Sequence, residues 1–232
     1  MSAVADVVRA DASATFGVSG TGLHVVAGPP SRILVWRVGD DLTIVAADPA
    51  VLDRVRAAVA AVGDPFSRDA LETIAGDGWE VFGPSIHSFA DASTFRPVAP
   101  VSVSVSVSRV SLADLASFRS AADPDEWAEG GFGHDEEGGA LVYGARDEDG
   151  VFVAAGNLTP WRAMPADVGL YVAPSCRGRG LGRAVASAMV ADLLPTIGVA
   201  RYRALETNLA SLAVARSLGF VPHAANLVAR AT

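Results

Sequence analysis

The sequence predicts a mixed α/β fold, an α+β sheet with helices on its faces, and three observations carry that expectation. Residues 101–108, "VSVSVSVS", alternate valine and serine, which is the period of a strand with one apolar and one polar face. Leu181, Val185, Ala188, Met189 and Leu193 recur at the spacing of one helix face, directly after a strand-like run and a glycine-rich turn. From residue 101 onward the predicted order β α, β β β α β α β places helices against a mixed sheet rather than in a bundle.

Each element has its own local signal. In the first hundred residues "RILVWRV", "GDD" and "LTIVAA" form a predicted hairpin. Asp48 as N-cap and Pro49 as first helical residue should open a helix along Val51, Val55, Val59 and Val62, ending at Gly63. Ser67 should cap "RDALETIAG", ahead of the strand-like "WEVFGP". Pro97 and Pro100 mark a boundary, so a smaller mixed α/β N-terminal domain is expected over 1–100 and a second domain over 101–232.

In the second domain "SLADLASFRSA" reads as an amphipathic helix capped by Ser111, and "DPDEWAEGGFGHDEEGG" as a polar loop. "ALVYGARD", "VFVAAGNL" and "DVGLYVAP" are strands. Pro195 should stop the helix that follows them. The strand "RYRALE" precedes "NLASLAVARSL", a helix with Asn208 at its N-cap and Gly219 at C′, and "PHAANLVARA" supplies a last strand.

Composition narrows the function. Of 232 residues 26 are acidic and 18 basic, none of them lysine, for a formal net charge of -8. A field of that sign repels polyanions and attracts cations, so no nucleic-acid partner is expected. One cysteine, Cys176, forms no internal disulfide, and no His/Cys spacing predicts a metal. The N-terminus lacks the apolar core of a signal peptide and no run approaches a membrane span. The expectation is a cytoplasmic monomer or homodimer with no membrane partner.

Against that acidic background "CRGRGLGRA", residues 176–184, concentrates glycine and arginine between a strand and a helix. A Rossmann fingerprint fails because Arg183 stands where its third glycine belongs, and a Walker A loop needs a lysine. An arginine-glycine nucleic-acid segment would be repeated and disordered. A strand, a glycine turn and a helix start remain, in which backbone amides can approach an anion at the positive end of the helix.

Residues 169–184, "GLYVAPSCRGRGLGRA", closely resemble the acyl-CoA signature of the GNAT superfamily, the Gcn5-related N-acetyltransferases. Arg177, Gly180 and Gly182 occupy the pattern of Gln or Arg, two residues, Gly, any residue, then Gly or Ala, after Val172, Ala173 and Pro174 in a Val-x-Pro form. Downstream, "NLASLAVARSLGF" resembles the family's closing element, an Asn, a small residue three later and a helix ending Leu-Gly-Phe. The resemblance covers about residues 101–230.

It implies a GNAT-like fold and an acyltransferase that moves an acetyl group from acetyl-CoA, a co-substrate, to a primary amine by direct attack, with no metal. The acceptor would be a small-molecule amine or a peptide N-terminus. It implies that backbone amides of Arg177, Gly178, Arg179, Gly180, Leu181 and Gly182 hold the pyrophosphate with Arg183 adding charge to the cofactor site, that Leu170, Tyr171 and Val172 line the pantetheine arm, and that Asn208 and Ser211 meet CoA. Many relatives protonate the departing thiolate with a tyrosine five residues before the Phe of the closing element. That position is Ala215 here, and Ser211 fits a branch with Asn-x-x-Ser and no such tyrosine. Ser211 is therefore the expected thiol-side donor. Glu206, Asp167 and His134 are the candidate bases, either direct or through water. Tyr171 should pack or line the acyl tunnel, and Cys176 is a bystander.

The N-terminal domain carries no phosphate loop. It reads as a degenerate half of similar fold or a cap over the substrate, with His87 as a satisfied structural histidine. Ala215 also suggests an alternative, a catalytically silent CoA-binding module.

Overall fold

The computed structural model describes residues 3–98, 105–132, 141–161 and 164–232. The architecture is mixed α/β, with ten strands and seven helices among the described residues. Two compact units divide the chain: Met1–His87 with Ala204–Leu209 and Pro222–Thr232, and Ser88–Arg203 with Ala210–Val221. The expected split at residue 100 differs from this division, because the chain returns to the first unit for its last strand.

The first unit contains α1 (Ala3–Phe16), β1 (Gly22–Ala27), β2 (Arg32–Val38), β3 (Leu42–Ala47), α2 (Leu52–Val62), α3 (Arg68–Ala75), the start of β4 (Trp79–Asp91) and nearly all of β10 (Val221–Ala231), in strand order β1-β3-β2-β10-β4. The predicted hairpin forms as β2 and β3, from Ile33↔Ala47 to Val38↔Leu42. "PHAANLVARA" is β10, antiparallel to β2 with Asn226 opposite Trp36. Ile33, Val35, Val45, Leu71, Ile74 and Leu227 bury the apolar faces of sheet and helices together. Ser67 caps α3 as expected, its hydroxyl accepting the Ala70 amide at 3.1 Å. Asp48 instead caps a turn, accepting the Ala50 amide at 2.8 Å, and α2 begins at Leu52. Neither α1 nor β1 was expected. Val4, Val8 and Ala12 of α1 are buried at helical spacing, but in the sequence they stand among small and polar residues that blur the stripe.

The second unit orders its strands β4-β9-β8-β7-β6-β5, with β5 at Ser106–Val110, β6 at Leu141–Arg146, β7 at Phe152–Trp161, β8 at Met164–Val172 and β9 at Val199–Leu205. Of "VSVSVSVS", residues 101–104 lie outside the described residues; Ser106 to Ser108 enter β5 with the serines exposed and Val107 half-buried. The helix predicted from Ser111 is shorter than expected. Ser111 and Asp114 cap each other's amides at 3.2 and 2.8 Å, turns follow, and α4 covers Ala116–Ser120. The start of the predicted loop is a helix, α5 (Pro124–Glu129), with Asp123 accepting the amides of Asp125 and Glu126 and Pro124 at the first turn. Trp127, the buried residue of that helix, stacks on Phe132 at 4.1 Å and meets Tyr171 edge-on.

Helix α6 (Leu181–Ile197) packs its Val185 and Met189 side chains where a Cβ on Gly156 of β7 would stand, at 2.7 and 2.6 Å. It passes Pro195, the expected stop, because a proline so near the C-terminus removes one amide and leaves the earlier turns intact. Gly198, at φ 72°, ends it with its amide on Leu194 O. Helix α7 (Leu209–Ser217) ends as predicted. Gly219, at φ 83°, sits at C′; the Phe220 amide reaches Ala215 O and the Gly219 amide Arg216 O, both at 3.1 Å.

Gly219 and Gly169 sit hard against carbonyl oxygens. A Cβ on Gly219 would stand 1.9 Å from Thr94 O, and one on Gly169 of β8 would stand 2.2 Å from both Gly130 O and Asn157 Oδ1. Gly219→Ala should lower the melting temperature by about 5 °C or more, since left-handed backbone with a Cβ costs about 1–2 kcal/mol before the clash is added. Gly63→Ala, at φ 76° in open space, isolates the backbone cost and should be milder. Gly169→Ala should push the Gly130–Gly131 turn off β8, read as faster hydrogen exchange of the turn's amides in a chain that still folds.

Candidate active site

The site begins where two strands part. β8 pairs with β7 along its length, from Trp161↔Met164 to Ala154↔Val172. On its other edge the parallel ladder with β9 has two rungs among the described residues, Asp167↔Arg201 and Val168↔Tyr202. Beyond the second rung Gly169, Leu170, Tyr171 and Val172 have no β9 partner, so β8 offers an open edge to an extended group.

Past Val172 the chain makes a short 3-10 turn, Pro174–Cys176, and then the glycine loop. Gly178 and Gly180 take φ of 75° and 77°, and Gly180 is the N-cap of α6. Left-handed positions of that kind allow successive amides to face one anion, and non-glycine residues resist them. The first amide returned to the helix ladder is Ala184, on Gly180 O at 3.0 Å. The amides of Gly178, Arg179, Gly180, Leu181, Gly182 and Arg183 meet no backbone acceptor among the described residues. With the positive end of a 17-residue helix behind them, they can bind an anion.

The arginines of this loop play unequal parts. Arg177 Nη2 donates to Glu126 Oε2 at 2.5 Å and its Nε to Val172 O at 3.2 Å. With both side chains near half exposed, the ion pair contributes at most about 1 kcal/mol, and it links the loop to α5. Arg179 is exposed, and Arg183 is half-buried with its Nε unpaired among the described residues. Cys176 is a free thiol 3.7 Å from the Ser175 hydroxyl. Tyr171 packs, as expected, against Trp127 and Phe118, and burial raises its pKa.

The Gly130–Gly131 turn lies across β8 beside the open edge. Asn157 of β7, fully buried, donates its Nδ2 to Gly131 O at 2.8 Å. On the same face of the sheet Asp167 Oδ2 accepts from Arg201 Nη2 at 2.7 Å, the side chains 8% and 14% exposed. Arg201 also lies over the Trp161 ring at 5.4 Å. Asp167 Oδ1 is buried and without a hydrogen-bond partner among the described residues. Breaking such a buried pair costs about 3–5 kcal/mol, so Asp167 is held in place whatever its chemistry.

On the opposite face of β9, Tyr202 is 2% exposed and its hydroxyl lies 3.0 Å from Ser211 Oγ, in the first turn of α7. Burial pushes the phenol up to about 12. Tyr202 also meets Phe220 edge-on at 5.6 Å. Ala215 is buried and brings no hydroxyl.

Asp167, Leu170–Val172, Arg177–Arg183 and Ser211 thus belong to the second compact unit, whereas Glu206 and Asn208 belong to the first. Glu206 is exposed just past β9, with its amide on Pro84 O, and Asn208 directly precedes α7. His134 lies outside the described residues. His87 is structural, its Nε2 2.6 Å from Asn226 Oδ1 and its ring 4.4 Å from Trp36. Sequence reasoning missed Glu126, Asn157, Arg201 and Tyr202. Each matters through a partner distant in sequence, and only strand register could have pointed to Arg201 opposite Asp167. Among the described residues no cluster of His, Cys, Asp and Glu could hold a metal ion, and no helix is long and apolar enough to cross a membrane.

Comparison with known proteins found a family match and remote structural likenesses. Residues 109–220 match the model of the acetyltransferase (GNAT) family. A structure of a Drosophila protein aligns over 73% of this chain and 58% of its own, at 17% identity and a TM-score of 0.51, so the chain spans less than two thirds of that protein. A conserved protein of Staphylococcus epidermidis with unknown function aligns over 73% and 69%, at 14% identity and a TM-score of 0.50. A GCN5-related N-acetyltransferase from Kribbella flavida aligns over 98% and 94%, at 18% identity and a TM-score of 0.49. No curated protein matches the chain. The strands β8 and β9 part and the glycine loop follows within the span of that family match, so residues 109–220 form a domain of the GNAT acetyltransferase family.

Proposed function

We propose that the protein is an N-acetyltransferase that moves the acetyl group of acetyl-CoA to a primary amine in a ternary complex. The observation that carries the reading is the junction of the unpaired β8 edge with the amide loop at its end. An anion held by the loop amides and an amide-bearing arm lying along Leu170–Val172 describe CoA, whose pyrophosphate and pantetheine supply those two features in that order. The side chains of this loop leave cations for the same occupant: Arg179 is exposed and Arg183 half-buried.

The chain's groups then divide the chemistry. A backbone amide of β8 past the parting point stabilises the oxyanion of the tetrahedral intermediate. The nitrogen of the amine attacks the thioester carbonyl, loses a proton to a carboxylate directly or through water, and the C–S bond breaks as the sulfur takes the electron pair. Asp167, with one carboxylate oxygen on Arg201 and the other unpaired, or the solvated Glu206 receives the proton. Ser211 donates to the departing sulfur. Positioning supplies much of the rate. The net charge of -8 favours cationic acceptors, a small-molecule amine or a peptide N-terminus.

A second reading, CoA binding without turnover, is favoured by Ala215 and by the engagement of Asp167 with Arg201. One experiment separates the two. Acetyl-CoA should raise the melting temperature, by about 2.7 kcal/mol of stabilisation at a hundred times its dissociation constant, and an amine panel should release free thiol. Stabilisation without thiol release from any amine selects the silent module, and no stabilisation rejects both. Gly180→Val should abolish the stabilisation, because a β-branched residue resists φ 77° and reorients the amides. With an active amine in hand, Asp167→Asn and Glu206→Gln should differ, the true base losing about 100-fold or more in kcat/KM and the other little.

A further inference from the structure

We propose that the Gly130–Gly131 turn, latched by Asn157, limits the acyl group of the donor to a short chain, and that Asn157 is a positioning residue for that limit; this rests on the acetyl-CoA reading above. Place is the first support. The open edge of β8 runs from Val172 back to Gly169 and ends at Val168, where Tyr202 of β9 is the partner. An extended arm that uses this edge brings its acyl end beside Gly169.

The walls around that point are the second. Asp167, Gly169 and Tyr171 alternate onto one face of β8, and each is covered by a different contact. Arg201 pairs with Asp167 at 2.7 Å, the turn sits on Gly169, and Trp127 meets Tyr171 edge-on at 5.3 Å. The cover over Gly169 is tight. A carbon placed as its Cβ would stand 2.2 Å from both Gly130 O and Asn157 Oδ1, and one on Gly130 would stand 2.8 Å from Leu170 O, so the turn follows β8 past Gly169. Toward the other face, a Cβ on Gly182 of α6 would lie 3.3 Å from Val172 Cγ2 and 3.7 Å from Leu170 Cδ1. An acyl chain beside Gly169 thus meets the β9 rung ahead, the turn on one side and apolar side chains backed by α6 on the other. To grow by more than a carbon or two it must move a wall.

The turn is the wall that can move without breaking a strand or a long helix, and a side chain holds it. Gly130 and Gly131 follow the short α5, their amides on Glu126 O and Ala128 O at 3.0 Å. Asn157 stands opposite Gly169 on β7, is fully buried, and donates its Nδ2 to Gly131 O at 2.8 Å. That bond draws the turn down onto the strand. Gly131, at φ 87°, fits under the latch because it has no side chain; a Cβ there would lie 3.1 Å from Asn157 Oδ1 and 3.4 Å from Gly169 Cα. An apolar residue at 157 would leave the Gly131 carbonyl without its donor and release the turn.

The test uses the full chain with CoA, acetyl-CoA and butyryl-CoA, and needs no acceptor amine. Calorimetry on the wild type should show acetyl-CoA bound about tenfold or more tightly than butyryl-CoA, since one methylene too many in a closed pocket already costs about that factor. In Asn157→Ala and in Gly131→Ala the ratio should fall to about threefold or less, with each affinity referred to that of CoA for the same variant. A structural role alone would weaken all three ligands together and leave the ratio in place. Melting temperatures check the fold, and if Asn157→Ala does not fold, Gly131→Ala decides in its stead. An undiminished ratio in the folded variant, or a wild type that binds butyryl-CoA as tightly as acetyl-CoA, overturns the limit and leaves the proposed acyl transfer from CoA standing. No binding of CoA or acetyl-CoA by the wild type overturns both.

Discussion

The two-rung ladder between β8 and β9 is the constraint on which the rest of the acetyltransferase domain depends. Parallel strands ordinarily stay paired because each unpaired amide and carbonyl must find another partner. Here the last rungs are pinned from both faces. Asp167 and Arg201 form a buried ion pair on one side, and Tyr202 meets Ser211 on the other. Beyond them the β8 edge from Gly169 to Val172 has no strand beside it.

The glycine loop answers the same geometry at the other end of the open edge. Its binding capacity rests on amides more than on arginines, since Arg177 is committed to Glu126 and Val172 O. An anion site of the kind proposed would work in a chain of net charge -8, because a helix dipole and backbone N–H groups act at contact distance, where the long-range field matters least. The Gly130–Gly131 turn, fastened by Asn157, then covers β8 on the face away from α6. Three glycines and one asparagine hold that arrangement, each required by close backbone approach rather than by chemistry of its own.

Much of this was legible in advance where the signal was local. The Leu218-Gly219-Phe220 ending of α7 follows from the left-handed C′ glycine, and the structure adds why no other residue fits, the Thr94 carbonyl. Strands β6 to β9 and helix α6 followed from periodicity. Local signals also misled. Ser111 and Asp48 are sound caps, yet both close turns before their helices begin, because a capping side chain serves any turn that presents the same amide. "DPDEW" looked like a loop because its charges hid Trp127, one apolar residue whose burial against Phe132 and Tyr171 is enough to seat a six-residue helix.

The sequence by itself determined the fold class, the glycine-rich loop, its place between a strand and a helix, and the closing element, since each depends on residues within a few positions of one another. Only the tertiary structure decided that β8 and β9 part after Tyr202, that Arg177 is engaged by Glu126, that Asp167 is paired with Arg201, that Ser211 has Tyr202 for a neighbour, and that β10 joins the first unit beside β2. Those facts rest on strand register and on contacts between distant segments. Periodicity assigns a residue to a face of a strand, and the partner across from it is chosen by packing of the whole sheet.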